Sequence, residues 1–241
     1  MTRALQAIVF DFDGVIADSE PLHLRAFQQA LADEGIDLAP AEYYGRYLGY
    51  DDVGLVEALA RDRGIEMSER HRTALVARKG VKLQEMLQAD SVLFPGAAEF
   101  IRNAAAAVPI AIASGALRHE IDEVIEAAGM RHLFSAIVAS GDTPQSKPSP
   151  APYALAFERL CAAVGNDLDP RRCVAVEDSR WGLESARGAG LRCVGVTNSY
   201  SASELEGAEL IVDGLRALSL PMLDGLVAGI SPVISAAHKH A

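Results

Sequence analysis

Four short polar runs carry residue types that could do chemistry together. Asp11-Phe12-Asp13-Gly14 sets two carboxylates two residues apart. In an extended segment the period of two turns both to one side and Phe12 to the other. Two carboxylates so placed repel unless they share a proton or a cation, and a hard divalent ion such as Mg²⁺ meets that need with oxygen ligands. Gly14 lets the chain turn sharply behind them. Alone, the fragment reads equally well as an Asp-Gly turn with solvated carboxylates. Ser114-Gly115 offers a hydroxyl and then backbone N–H groups, a setting that binds phosphate. A serine at such a place is also a common turn residue or helix cap. Lys147, in Ser146-Lys147-Pro148, is an ordinary loop lysine by itself and a neutraliser of a phosphoryl group beside carboxylates. Glu177-Asp178-Ser179 adds an acidic pair that would complete an oxygen cage for a metal.

What would bring these runs together is a parallel sheet. Short apolar runs recur at Ala7–Phe10, Pro109–Ala113, Ala136–Ala139, Cys173–Val176, Cys193–Val196 and Leu210–Val212. Each is of strand length and apolar on both faces, as in a sheet covered by helices on both sides. Helical patterns lie between them at Ala97–Ala107, Arg118–Ala128, Pro152–Val164 and Gly182–Ala189, with Gly129 and Gly190 at helix C-termini. Alternating strand and helix predicts an α/β, Rossmann-like, doubly wound parallel sheet with right-handed crossovers. Each polar run then stands at the carboxyl end of its own strand, the edge where ligands bind in open α/β sheets.

Residues 18–92 break the alternation. They show helical patterns at Leu22–Glu34, Leu55–Arg63, Ser68–Lys79 and Val81–Leu87, and no convincing strand. Such a length is too great for a crossover connection, so it reads as an inserted α-helical cap domain over the sheet's C-terminal edge. Phe94-Pro95-Gly96 reads as the return hinge. The expected division is 1–17 with 93–225 as the α/β core, 18–92 as the cap and 226–241 as a C-terminal tail. The apolar stretch Leu218–Ala237, interrupted by Pro221, Asp224, Gly229 and Pro232, is either a docking tail or a frayed end.

Composition bounds the partners. The chain has 241 residues, half of them hydrophobic, and a formal net charge of −11, enough apolar material for a sizeable core. An acidic balance argues against a general nucleic-acid binder. No apolar run approaches a membrane span, and Ala7–Phe10 is too short for a signal-peptide core. Cys161, Cys173 and Cys193 are odd in number and lack metal-ligand spacing, which reads as three reduced thiols in the cytoplasm. Gly188-x-Gly190 follows a helix and has Cys193 where a third glycine would stand, so it is no dinucleotide fingerprint. Nothing fixes the oligomeric state beyond a monomer or a weak homo-oligomer.

The four runs, in this order, resemble the motifs of the haloacid dehalogenase superfamily, in the branch with a helical cap after the first motif. Asp18-Ser19-Glu20-Pro21-Leu22-His23 is similar to the branch of broad sugar-phosphate phosphatases and β-phosphoglucomutases. The resemblance covers roughly Ala7 to Val212. It implies that Asp11 is the nucleophile and forms an aspartyl-phosphate. It implies that Asp13 protonates the leaving oxygen and then activates water, and that Ser114 and Lys147 bind the transferring oxygens, with Gly14 and Gly115 beside the substrate. Mg²⁺ would be held by Asp11, the Asp13 carbonyl, Asp178 and Glu177. Mg²⁺ and Lys147 together would keep Asp11 ionised.

The resemblance further implies that cap residues choose the substrate, with His23, Arg46, Tyr50, Asp51 and Lys79 as candidates. His23 would couple the cap to Asp13. Mutases of this branch carry an arginine in the cap loop for the sugar's second phosphate. Here that loop reads Leu48-Gly49-Tyr50-Asp51-Asp52, whose carboxylates would repel a dianion. The expectation is therefore a phosphatase acting on a small phosphorylated metabolite. Arg46 keeps a β-phosphoglucomutase-like mutase as the alternative, and a non-catalytic α/β binding domain is the reading from another class.

Overall fold

The computed structural model describes residues 3–48, 50–89, 92–165 and 167–230. The chain divides into two compact units, Met1–Asp18 with Val92–Ala241, and Ser19–Ser91.

The first unit holds a six-stranded sheet: β1 (Ala7–Phe10), β2 (Ile110–Ala113), β3 (Phe134–Val138), β4 (Cys173–Glu177), β5 (Arg192–Val196) and β6 (Leu210–Val212). All pairings are parallel and the order is β3-β2-β1-β4-β5-β6. The order reverses between β1 and β4, the topological switch point at which such sheets bind ligands. Phe10 is level with Ile112 on one side and Val176 on the other, so the chain leaves β1, β2 and β4 at one edge.

Both faces of the sheet are covered, which explains the continuous apolar strands. Ala7, Val9, Ala111, Ala113, Cys173 and Ala175 form one face, packed against Tyr153, Ala156 and Leu160 of the helix Ala151–Val164 and Leu183 and Ala186 of the helix Arg180–Gly188. Small side chains there let the helices approach closely. Phe10, one residue out of phase, meets Phe100 of the helix Ala97–Ala105 edge to face at 6.1 Å. The helices Arg118–Ala127 and Leu220–Val227 complete this unit among the described residues. The last of these runs past 225, so a tail beginning at 226 starts inside a helix. Leu223 and Leu226 are buried, and Asp224 accepts hydrogen bonds from the backbone of Ala4 and Leu5 at 2.7 and 2.9 Å. The rest of the expected tail, from residue 231, lies outside the described residues.

The second unit is helical. It comprises α1 (Glu20–Ala32), α2 (Pro40–Glu42), a π-helical turn Tyr43–Tyr47, α3 (Asp52–Asp62) and α4 (Glu69–Ala89). In the same order the first unit supplies α5 (Ala97–Ala105), α6 (Arg118–Ala127), α7 (Ala151–Val164), α8 (Arg180–Gly188) and α9 (Leu220–Val227). Phe27, Leu31, Leu38, Tyr43, Tyr47, Leu55, Leu59 and Leu75 form the helical unit's own core. Two features differ from expectation. Ser68–Lys79 and Val81–Leu87 are parts of one helix, α4, because Leu75, Lys79, Leu83 and Leu87 bury one stripe at every fourth residue straight through Gly80. Residues 40–47, which carry no predicted element, are helical, and Tyr43 and Tyr47 are both buried there.

Candidate active site

Asp11 is the first residue beyond β1, tied to the sheet by its N–H, which donates to the Val176 carbonyl at 2.9 Å. Its carboxylate is almost buried, and Lys147 Nζ lies 2.9 Å from its Oδ1. Lys147 comes from the loop between β3 and α7, and its ammonium also donates to Glu177 Oε1 at 2.5 Å. Asp178 follows Glu177 out of β4. Oxygens of Asp11, Glu177 and Asp178 all lie within 4.8 Å of one another. Gly14 makes this convergence possible. Its φ is +75°, and a Cβ there would stand 1.8 Å from Asp178 Oδ2, so only a glycine lets the β1 loop pass against the β4 loop.

Ser114 is buried at the end of β2. Its N–H donates to the Val138 carbonyl and its Oγ accepts from Ala116 N, both at 3.0 Å. Gly115 beside it is exposed, with room for a ligand against its backbone. Asp13 lies inside the turn that follows β1, bridged to Ala17.

The charges do not balance. One ammonium faces three buried carboxylates. Burial first, and the Glu177 charge second, push the Asp11 carboxyl well above the ordinary range despite Lys147. The same two causes push Asp178 up to about 7, against a hydrogen bond from Ser199. Burial works against the Lys147 charge, yet Asp11 and Glu177 more than offset it and raise its pKa. Lys147 offsets only part of the rise that burial and Glu177 impose on Asp11. The site fits a further cation, and the donors are hard carboxylate oxygens.

The chain matches the haloacid dehalogenase-like hydrolase family over residues 5–190. It belongs to that family. A curated relative, Protein CbbY of Rhodobacter capsulatus, is 34% identical over 83% of this chain and 88% of its own length. A phosphoglycolate phosphatase of Yersinia pestis is 29% identical over 84% of this chain and 85% of its own. The crystal structure of CbbY from Rhodobacter sphaeroides in complex with phosphate superposes with a TM-score of 0.77, at 29% identity, over 89% of this chain and 96% of that one.

In this hydrolase the structure brings Asp11, Lys147, Glu177 and Asp178 into one cluster and sets Gly14 against Asp178. Glu177, expected among the metal ligands, belongs to the acidic cluster, yet both its oxygens already accept from the protein. Oε1 takes Lys147 and the Tyr153 hydroxyl, at 2.9 Å for the latter. Oε2 takes Asp178 N, Ser179 N and Ser179 Oγ at 3.1–3.3 Å. Tyr153, which also touches the cluster, carries no distinguishing mark in the sequence. It is fully buried on α7, and besides holding Glu177 its ring lies 5.1 Å beneath Lys147 Nζ. Its one signal is a position six residues past Lys147, which a core tyrosine shares.

The five expected substrate residues of the helical unit have partners inside that unit or stand open. Lys79 is completely buried. Its Nζ donates to Asp52 Oδ1 and Oδ2 at 2.8 and 2.9 Å, stands 2.9 Å from His23 Nδ1, and lies 4.9 Å over the Phe27 ring. Burial, then Lys79, lowers the His23 pKa to about 3, so its ring is neutral. Arg46 pairs with Asp62 at 2.9 Å, and Asp51 caps α3 by accepting from Gly54 N at 2.7 Å. Tyr50 is half exposed, tilted against Tyr47. Gly49 lies outside the described residues.

Proposed function

We propose that this chain is an Mg²⁺-dependent phosphoric monoester hydrolase that acts on a small phosphorylated metabolite, of sugar-phosphate or phosphoglycolate type, through an aspartyl-phosphate. One observation carries the reading: at the sheet's switch point the Asp11 carboxylate meets Lys147 Nζ at 2.9 Å inside a buried acidic cluster. Asp11 attacks phosphorus in line, and the P–O bond to the leaving group breaks as the new one forms. Asp13 gives its proton to the departing oxygen and takes one back from the water that hydrolyses the acyl phosphate. Lys147 and the groups at Ser114–Gly115 hold the equatorial oxygens. Asp11, the Asp13 carbonyl and Asp178, with Glu177 behind them, would hold Mg²⁺. When bound, that ion supplies the positive charge that lets an anionic carboxylate and an anionic phosphate approach.

The names of the relatives support the substrate class, since one is a phosphoglycolate phosphatase and the CbbY structure contains phosphate. A mutase would need a cation for a second phosphate, and Arg46 is engaged by Asp62 while Lys79 is engaged by Asp52. The helical unit's part in choosing the substrate, and a cytoplasmic setting, belong to the same proposal. Phosphate release from a panel of phosphoesters, with Mg²⁺ and with chelator, tests it. Metal-dependent release is expected, and Asp11→Asn should abolish it while the circular-dichroism spectrum is kept. No release from any ester, or an Asp11→Asn variant that keeps most of its rate, overturns the reading. Interconversion of sugar phosphates without net phosphate release would favour the mutase instead.

A further inference from the structure

We propose that Asn198 is a positioning residue that fixes the Asp13–Gly14 turn for proton transfer to the leaving group. The inference rests on the reading of Asp13 as the general acid. Asn198 lies in the turn two residues beyond β5, far from every motif along the sequence. Its Nδ2 donates to the Gly14 carbonyl at 2.7 Å, across 184 residues of chain.

The bond matters because of what it restrains. Gly14, at φ +75°, has more backbone freedom than any other residue type would have there. The turn holds itself on its inner side, where Gly14 N donates to the Ala17 carbonyl at 2.9 Å and the Phe12 carbonyl accepts from Ile16 and Ala17. The Gly14 carbonyl points outward to Asn198. Gly14, the residue immediately after Asp13, is thus tethered at both its N–H and its carbonyl, and the outer tether is a side chain from the turn beyond β5. Its base is firm. Thr197 N donates to the Val212 carbonyl at 3.1 Å, which continues the β5–β6 ladder up to the neighbouring residue. A Cβ on Gly214 would stand 3.3 Å from Asn198 Oδ1, so the amide is packed on its far side too.

The next residue completes the clamp. The Ser199 hydroxyl hydrogen-bonds Asp178 and would stand 2.8 Å from a Cβ at Gly14. One dipeptide therefore touches both the turn that carries Asp13 and a carboxylate of the acidic cluster. A general acid works only within hydrogen-bond reach of the oxygen it protonates, and a misplacement of about 1 Å can reduce a rate ~100-fold.

The test uses the demand for the proton. A nitrophenolate leaves phosphorus without protonation, whereas a sugar alkoxide does not. kcat/KM covers steps up to departure of the leaving group. It is measured for an aryl phosphate and a sugar phosphate with wild type, Asn198→Ala, Asn198→Thr and Asp13→Asn. Thermal unfolding confirms that each is folded, and Asn198→Thr stands in should Asn198→Ala not fold. The expected result for the Asn198 variants is a fall of about tenfold or more for the alkyl ester. The aryl ester should fall by no more than about threefold, so the ratio of the two drops. A merely structural role would lower both in parallel, and that outcome overturns the proposal. An unchanged ratio in the Asn198 variants alongside a collapsed ratio in Asp13→Asn overturns the positioning role alone. An unchanged ratio in Asp13→Asn overturns the general-acid reading and the proposal with it.

Discussion

Replacing Gly182 by alanine separates local propensity from site geometry. Gly182 lies in the first turn of α8 with ordinary helical backbone, and alanine in a helix is favoured over glycine by about 1 kcal/mol. On that ground alone Gly182→Ala should stabilise the protein. The structure predicts the opposite. A Cβ on Gly182 would stand 1.8 Å from Glu177 Oε1, 1.9 Å from its Cδ and 2.1 Å from Oε2. Glu177 is completely buried and its carboxylate is held by Lys147, Tyr153, Asp178 N and Ser179. It must move by more than 1 Å, roughly the gap to ordinary carbon–oxygen contact, and cannot keep those bonds. Disrupting a buried ion pair costs about 3–5 kcal/mol, so the net expectation is a loss of ~2–4 kcal/mol. Because Lys147 loses its counterion and its aim at Asp11, turnover should fall by about 100-fold or more. Urea unfolding and phosphate release measure the two effects. Gly80→Ala is the matched control. Gly80 lies within α4 with nothing inside 4 Å of its added Cβ, and here the gain of about 1 kcal/mol should appear. A Gly182→Ala protein as stable and active as wild type would refute the placement of Glu177 against α8.

Two further outcomes follow from buried polar pairs. Tyr153→Phe keeps the ring under Lys147 and removes the hydroxyl that Glu177 accepts, so kcat should fall about tenfold with KM nearly constant, and stability should fall by ~1–2 kcal/mol. Steady-state kinetics with wild-type values would show that the hydroxyl is dispensable. His23 gives the helical unit an acid sensitivity. Its pKa is lowered from 6.5 to about 3 in the folded chain, so between those values the unfolded chain binds the proton and the folded chain does not. Stability is therefore fully present above pH 6.5 and is lost as pH falls towards 3. The full shift would be worth about 5 kcal/mol, and partial exposure of the ring reduces that to roughly 2. Urea unfolding at a series of pH values should show this slope in wild type and lose it in His23→Gln; an identical slope in both would exclude His23 as its source.

The sheet was legible because its central strands β1, β2 and β4 are buried on both faces and wrote themselves as short apolar runs ended by a polar residue. β1 and β6 have the predicted limits, and β4 runs one residue further because Glu177 is itself buried within the strand. The strand ends also anticipated the cluster of Asp11, Lys147, Glu177 and Asp178, since parallel strands deliver their C-termini to one edge whatever lies between them. The misses share a cause. Tyr153 has helical spacing and total burial, the same signature as Ala156 and Leu160 on its own helix, and only the position of Glu177 distinguishes it. Asn198 stands beyond β5, where the strand-end logic already applied to β1, β2 and β4 would have pointed to it, but one polar residue without an acidic or basic neighbour gave no chemistry to read.

The charges on the helical unit show the limit from the other side. Lys79, Arg46 and Asp51 have the residue types for substrate recognition, and sequence offers no means of telling an available charge from a committed one. Lys79 is 27 residues from Asp52, Arg46 is 16 from Asp62, and neither separation is a helical repeat. Only the packing of α1, α3 and α4 joins Lys79 to Asp52 and His23. In the acidic cluster the opposite holds. Asp11, Lys147, Glu177 and Asp178 were assigned one pocket, and there the count of charges itself carries the argument. Burial raises the Asp11 and Asp178 carboxyls first, and the excess of three carboxylates over one ammonium adds to that rise. The paired charges of the helical unit are neutralised by one another, whereas those at the sheet edge are left in want of a cation. That difference separates a structural ion pair from a site built to receive one.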